Sequence, residues 1–218
     1  ILTWIADRKW AFEAGEHFGY KINDVKSLMW VARHSDRFLT NEMDKNDWIE
    51  ASNYIQAQLT DSIINAAVKS LPPEIYKLSG VKIEAKLKVR IKDLDEYSLQ
   101  YYKLLAKQVD VTGTNKEEYF EVHRNSNQTV EVSIFSIKEN SDTLKGSKLL
   151  YRRIFNPDET KEIRLYGLGG KDVFNITGAT DKSIKIIVVG GNGADVISDY
   201  SSVKKRGKQT KIYEQHHN

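Results

Sequence analysis

The chain has 218 residues, 40% of them hydrophobic and 29% charged, with 33 Lys+Arg against 30 Asp+Glu for a net charge of +3, and no cysteine. That length fits one large domain or two small ones. So even a charge balance is too weak to imply nucleic acid or an acidic membrane surface as a partner, and none is expected, while the lack of cysteine excludes disulfides, thiolate metal sites and cysteine nucleophiles. No apolar run approaches the ~20 residues that span a bilayer, so the segment is not expected to insert directly into a membrane.

The sequence opens on Ile1-Leu2-Thr3-Trp4-Ile5. Termini usually fray in solvent, so an apolar start reads as an excised piece of a longer protein with an apolar patch near Ile1–Trp10. Asn23-Asp24 then caps a helix carrying Val25, Leu28, Met29, Ala32 and Leu39 at helical spacing. Asp44 begins a second, with Trp48, Ala51, Ile55 and Leu59 on one face, and Thr60 caps a third that ends at Pro72-Pro73. Residues 81–92 alternate apolar and charged like a strand. The stripe Leu87, Ile91, Leu94, Ser98, Tyr101 and Leu105 instead favours one helix from about 83 to 107.

After Gly113 the pattern changes. Residues 119–124 and 129–137 alternate around Asn125-Ser126-Asn127 and predict a hairpin; 149–155 supply a third strand. Short strands follow at 162–166, 173–176, 184–189 and 211–213, separated by glycine. The expected fold class is α+β: a helical subdomain over 1–112, then a β-rich subdomain over 113–218 with antiparallel hairpin strands and a short, glycine-turned, β-solenoid-like end.

Two phrases in that end are alike. Gly167-Leu168-Gly169-Gly170-Lys171-Asp172-Val173-Phe174 follows one strand, and Gly190-Gly191-Asn192-Gly193-Ala194-Asp195-Val196-Ile197 follows another. The second matches the glycine- and aspartate-rich nonapeptide of RTX-type β-rolls; in the first, Leu168 replaces a glycine. Glycines allow φ > 0 and expose carbonyls, an aspartate offers a hard oxygen, and the apolar residue two places on points inward. The leading reading is structural turns. The metal alternative is a calcium ion held by Asp172 and Asp195 with Gly170 and Gly193. Asp172 and Asp195 lie 23 residues apart, five more than two nonapeptides, and Ala179–Ser183 is the expected loop for the excess. A further alternative is a dinucleotide-binding βαβ unit: strand 184–189, Gly191 and Gly193, a helix carrying Val196, Ile197, Tyr200 and Val203, and Glu214 for the ribose.

Three longer phrases carry a resemblance: Phe155-Asn156-Pro157-Asp158-Glu159-Thr160-Lys161-Glu162-Ile163-Arg164-Leu165-Tyr166-Gly167-Leu168-Gly169-Gly170, Val109-Asp110-Val111-Thr112-Gly113-Thr114, and Leu71-Pro72-Pro73-Glu74. They resemble the C-terminal intermediate region of Bacteroidota envelope proteins that join a calcineurin-like metallophosphoesterase to a BamA-like surface-antigen barrel. The resemblance implies a periplasmic or outer-membrane-associated module whose partners are the neighbouring domains of its parent. It does not carry catalysis over. The Asp-x-His, Gly-Asp-x-x-Asp and Gly-Asn-His-Asp/Glu segments of such phosphoesterases are absent from the sequence.

No catalytic residue is assigned, and the expected function is a non-enzymatic structural or interaction module with no obligatory cofactor. His17, His34, His123, His216 and His217 show no zinc-protease spacing. His34-Ser35-Asp36-Arg37 reads as a solvated helix face, Asp7 and Glu13 as surface charges beside Trp4 and Trp10, and Lys204–Lys208 as a soluble loop. Tyr97, Tyr101 and Tyr102 read as packing aromatics rather than a stacking platform.

Overall fold

The computed structural model describes residues 18–137, 148–204 and 210–213. The fold is α+β, helices first and strands afterwards. It divides into two compact units: one runs to His34 and resumes over Met43–Leu104, and the other takes Ser35–Glu42 and the chain from Leu105 onward.

The helical elements are α1 (Val25–Leu28), α2 (Arg33–Leu39), α3 (Lys45–Gln58), α4 (Asp61–Lys69), α5 (Val81–Lys92) and α6 (Leu94–Leu105). Each of the three expected caps is made. Asp24 accepts from the N–H of Lys26 and Ser27, Thr60 accepts from Ile63, and Asp44 forms a reciprocal capping box with Asp47. Where one helix was expected over 25–39 there are two, with turn residues 29–32 between them. The helical reading of 81–92 is the one adopted. The expected single helix over 83–107 is broken at Asp93, which leaves the helical conformation (φ −97°, ψ 12°). A single turn at Pro73–Ile75 and a π-helical stretch, Tyr76–Gly80, join α4 to α5; Gly80 lacks a Cβ because one would meet the Tyr76 ring at 2.4 Å. In the helical core Trp48 packs edge-on against Tyr101 with ring centroids 5.8 Å apart, and Tyr97 receives a hydrogen bond from the N–H of Ile22. The tyrosines are packing aromatics, as the helical stripe implied.

The strands are β1 (Gln108–Thr112), β2 (Glu118–Arg124), β3 (Val130–Ser136), β4 (Lys148–Phe155), β5 (Glu162–Gly169), β6 (Val173–Thr177), β7 (Ala179–Thr180), β8 (Lys185–Asn192), β9 (Val196–Asp199), β10 (Ser202–Val203) and β11 (Thr210–Tyr213). Three sheets share one logic. The first has the order β1-β5-β8-β11, all parallel. The second runs β4-β3-β2-β6-β9: β2, β6 and β9 are parallel, and β3 and β4 extend the other side as an antiparallel hairpin. The third is the parallel pair β7 and β10.

This is a β-solenoid in which each complete coil visits all three sheets. Between the second and third coils Glu162 pairs with Lys185, Val173 with Val196 and Ala179 with Ser202, an offset of 23 residues in all three sheets, and the next step, Ile186 with Thr210, is 24. The coil period is therefore 23, which corrects the expectation of an 18-residue roll with five residues looped out. Ala179–Thr180 within the expected loop is a strand, the wall of the third sheet. Gln108–Thr112, assigned from sequence to the helical half, is the first strand of the solenoid. No helix follows Gly193: Val196–Asp199 forms β9, paired residue for residue with β6. The dinucleotide alternative loses the helix it requires.

Inside, like residues stack from coil to coil. Val109, Ile163 and Ile186 form one column, and Val111, Leu165 and Val188 another, all within 4% exposure. Phe120 and Phe174 stack with centroids 4.3 Å apart, and Ile197 packs on the same core. An aromatic pair of this kind contributes about 0.5–1.5 kcal/mol beyond its area burial.

Candidate functional site at the glycine corner

The paired glycine phrases lie where the first sheet turns into the second, and the structure adds a third member. The register places Gly113, Gly167 and Gly190 at equivalent positions and, five residues later, Glu118, Asp172 and Asp195. Each acid side chain folds back over its own glycine. A Cβ on Gly113 would lie 2.7 Å from a Glu118 carboxylate oxygen, one on Gly167 2.4 Å from Asp172 Oδ2, and one on Gly190 2.3 Å from Asp195 Oδ2. Glycine is required because the carboxyl group occupies the space a side chain would fill.

The acids form a directional ladder. The N–H of Glu118 donates to Asp172 Oδ1 at 2.9 Å, and the N–H of Asp172 donates to Asp195 Oδ1 at 3.0 Å. Each carboxylate thus satisfies a peptide donor on the coil before it, replacing the strand ladder where the backbone turns away. Glu118, on the first coil, accepts instead from the N–H and hydroxyl of Thr114 in its own turn. Glu118 and Asp172 are buried. Asp172 Oδ2 and Asp195 Oδ2 are also buried and have no hydrogen-bond partner. Burial, reinforced by the neighbouring Glu118 and Asp195 charges against the Glu118 N–H, pushes the Asp172 carboxyl up to about 7.

The backbone explains the remaining glycines. Leu168 and its partner Gly191 both sit at positive φ, 72° and 102°. Gly193 has φ 153°, and a Cβ there would fall 1.6 Å from the Gly170 carbonyl oxygen. Of the four residues expected around calcium, Asp172 and Asp195 thus direct one carboxylate oxygen each to backbone N–H groups, and the Gly170 carbonyl abuts Gly193. Among the described residues no group of three or more His, Asp or Glu side chains is placed to hold a metal. Of the dinucleotide residues, Gly191 and Gly193 lie in the corner, and Glu214 lies outside the described residues, as do His17, His216, His217, Asp7, Glu13, the Ile1–Trp10 patch and residues 205–208 of the basic loop.

Sequence reasoning missed a second polar constellation. Arg124, 1% exposed, runs inside the coils at the next corner. Its guanidinium donates to Ser183 Oγ (2.5 Å), the Ile184 carbonyl (2.9 Å), Ser201 Oγ (3.1 Å) and Thr210 Oγ1 (3.1 Å), tying together segments before and after two later strands. Burial draws this guanidinium below its ordinary value while Asp199 counters. A lone arginine at the end of an alternating strand gives no sequence signal of this role.

The helical unit holds an apolar cavity of about 360 Å³, walled by Val25, Leu28, Trp48, Ile55, Leu94 and Tyr101 among others. The polar atoms nearby are engaged within the unit: Ser98 Oγ donates to the Trp48 carbonyl and Arg90 Nε to that of Gly19. His34 and Asp36 lie on α2 and His123 on β2, where its ring meets the Thr177 hydroxyl at 3.0 Å.

No protein-family model, curated protein or solved structure matches the chain. No helix among the described residues is long and apolar enough to cross a membrane.

Proposed function

We propose that the chain is a non-catalytic structural and interaction module of a larger cell-envelope protein. The observation that carries this reading is the acid ladder. The residues with the most chemical potential in the repeated motif, Glu118, Asp172 and Asp195, face into the coil stack and hold peptide N–H groups or their own turn. Arg124 is used in the same manner, as an internal strut. A rigid, stacked element of this kind positions what lies beside it in a protein. The periplasmic or outer-membrane placement, and neighbouring domains as partners, rest on the resemblance carried by the phrases Phe155–Gly170, Val109–Thr114 and Leu71–Glu74.

A calcium-binding module is the second reading, favoured by the buried Oδ2 atoms of Asp172 and Asp195 that lack hydrogen-bond partners. One experiment separates the readings. Thermal unfolding is followed with Ca²⁺, Mn²⁺, NAD and ATP in parallel, together with turnover of p-nitrophenyl phosphate. The structural reading expects no specific shift and no turnover. Stabilisation by Ca²⁺ that disappears in Asp195→Ala, stabilisation by NAD, or metal-dependent hydrolysis overturns it, because a ligand that binds only the folded state raises its stability with concentration.

A further inference from the structure

The first end of the solenoid is closed by a segment far from it in sequence. β1 is the edge strand of the first sheet, and the N–H of Gly113, just past it, donates to the Tyr166 carbonyl on β5. In a parallel pair alternate residues direct their N–H and C=O groups to opposite sides, so Asp110 and Thr112 face outward. Asn41 meets this edge: its Nδ2 donates to the Asp110 carbonyl at 3.2 Å. The Asn41 carbonyl in turn accepts from the Tyr151 hydroxyl (3.1 Å) and Arg153 Nη1 (2.6 Å), both on β4 and both buried. One residue of the segment Ser35–Glu42 thus ties the first strand of the solenoid to the last strand of its side hairpin.

The segment carries little apolar anchorage. α2 buries none of its residues, and Phe38 and Leu39 are 59% and 74% exposed. Seven residues are too few for a helix to persist without packing. The groups it grips are themselves imperfectly satisfied: Arg153 Nε and Asp110 Oδ1 are buried with no hydrogen-bond partner, an arrangement that costs stability. The columns behind it, such as Val111, Leu165 and Val188, are by contrast fully sealed. Elements with few buried apolar contacts open at a lower free energy than the core. Both ends of the segment also run into the helical unit, at His34 and at Met43.

We propose that Ser35–Glu42 is a releasable cap, latched at Asn41, which detaches from the first coil while the coils behind it stay folded. Closed, it covers the outward carbonyl of Asp110 and the guanidinium of Arg153. Open, it leaves both to water and β1 as a free strand edge. Because the cap is tethered at each end to the helical unit, strain applied to that unit reaches the latch through the chain itself. The cap is then a two-state element through which one unit biases the other. The inference stands on the geometry of this end and goes beyond the interaction-module reading without depending on it.

The test is native-state amide hydrogen exchange of the whole protein in low urea. The N–H of Thr40, bonded to the Asp36 carbonyl at 2.9 Å, reports the cap, and that of Gly113, bonded to Tyr166 at 2.7 Å, reports the first coil. After correction for intrinsic rates, Thr40 is expected to exchange at least ~100-fold faster than Gly113, and to stay nearly independent of urea up to about 1 M while Gly113 speeds up. Asn41→Ala and Tyr151→Phe each remove one bond of the latch, and each is expected to speed Thr40 by roughly 3–10-fold. Equal protection of Thr40 and Gly113 overturns the proposal, because the cap is then part of the core. Exchange at Thr40 that neither substitution changes also overturns it, because the helix end then frays without reference to Asn41.

Discussion

The peptide N–H of Asp172 donates to the side chain of Asp195, 23 residues later, while the side chain of Asp172 accepts the N–H of Glu118. One residue is donor to the coil that follows and acceptor for the coil before. The middle rung of the ladder is therefore where charge, burial and backbone hydrogen bonding meet.

The first prediction concerns pH. The Asp172 carboxyl sits at about 7 in the folded protein against an ordinary 3.8, raised chiefly by burial. An acid with a raised folded value binds its proton more tightly in the native state. Its stabilising contribution is complete below about pH 4, declines by up to about 1.4 kcal/mol per pH unit as pH rises towards 7, and is gone above that. Asp172→Asn retains an oxygen for the Glu118 N–H and does not titrate. Urea midpoints at pH 4.5, 6 and 7.5 are expected to show the wild type losing ground to Asp172→Asn as pH rises; parallel curves refute the assignment.

A second prediction follows from backbone conformation. Leu168 is 46% exposed and holds φ 72°, a region that costs a non-glycine residue about 1 kcal/mol. Leu168→Gly relieves that strain, partly offset by the greater freedom of glycine in the unfolded chain, and is expected to raise stability by a few tenths to ~1 kcal/mol. Gly193→Ala is expected to act in the opposite direction by more than ~2 kcal/mol, since its Cβ meets the Gly170 carbonyl. Denaturant unfolding of the two variants side by side checks both signs.

Arg124 supplies a third. Arg124→Leu leaves Ser183, Ser201, Thr210 and the Ile184 carbonyl without their buried donor. The expected loss is about 3 kcal/mol or more. Arg124→Lys is expected to recover only a minor part, because an ammonium does not reproduce the guanidinium fork. An Arg124→Lys variant as stable as wild type in urea would refute the strut.

The helical unit offers a simpler check. Asp44 caps α3 through the N–H of Asn46 and Asp47, and Asp47 returns a bond to the N–H of Asp44. Asp44→Ala is expected to cost about 1 kcal/mol, read by circular dichroism during thermal unfolding.

Much of the fold was legible because the signals were local. Asp24, Asp44 and Thr60 announce helices by side-chain chemistry that acts within three residues. The alternation of Tyr119–Arg124 and Thr129–Ile137 announces a hairpin. Residues 81–92 were resolved by the helical stripe they share with α6, although Asp93 interrupts it. The coil period was hidden for a physical reason. Its first two corners are separated by the β3–β4 excursion, so Glu118 and Asp172 lie 54 residues apart, and the first corner uses Glu and few glycines. The pattern that unites the corners is a glycine, an acid five residues on and an inward apolar residue two further: Gly113-Glu118-Phe120, Gly167-Asp172-Phe174, Gly190-Asp195-Ile197. Two-residue strands such as β7 carry too few side chains to register as periodicity, which is why the sequence around Ala179–Ser183 reads as a loop. Arg124 and the carboxylates of Asp172 and Asp195 depend on contacts 23 or more residues away.

The excursion through β3 and β4 also marks where this chain tolerates change. It leaves the winding path after Arg124 and rejoins it at Glu162, yet Phe120 and Phe174 still meet ring on ring. Extra sequence grafted at that exit therefore extends sideways and leaves the rise from one turn to the next untouched. Between Gly167 and Asp172, where a carboxyl must reach both its own glycine and the preceding turn, one added residue would put the whole stack out of step.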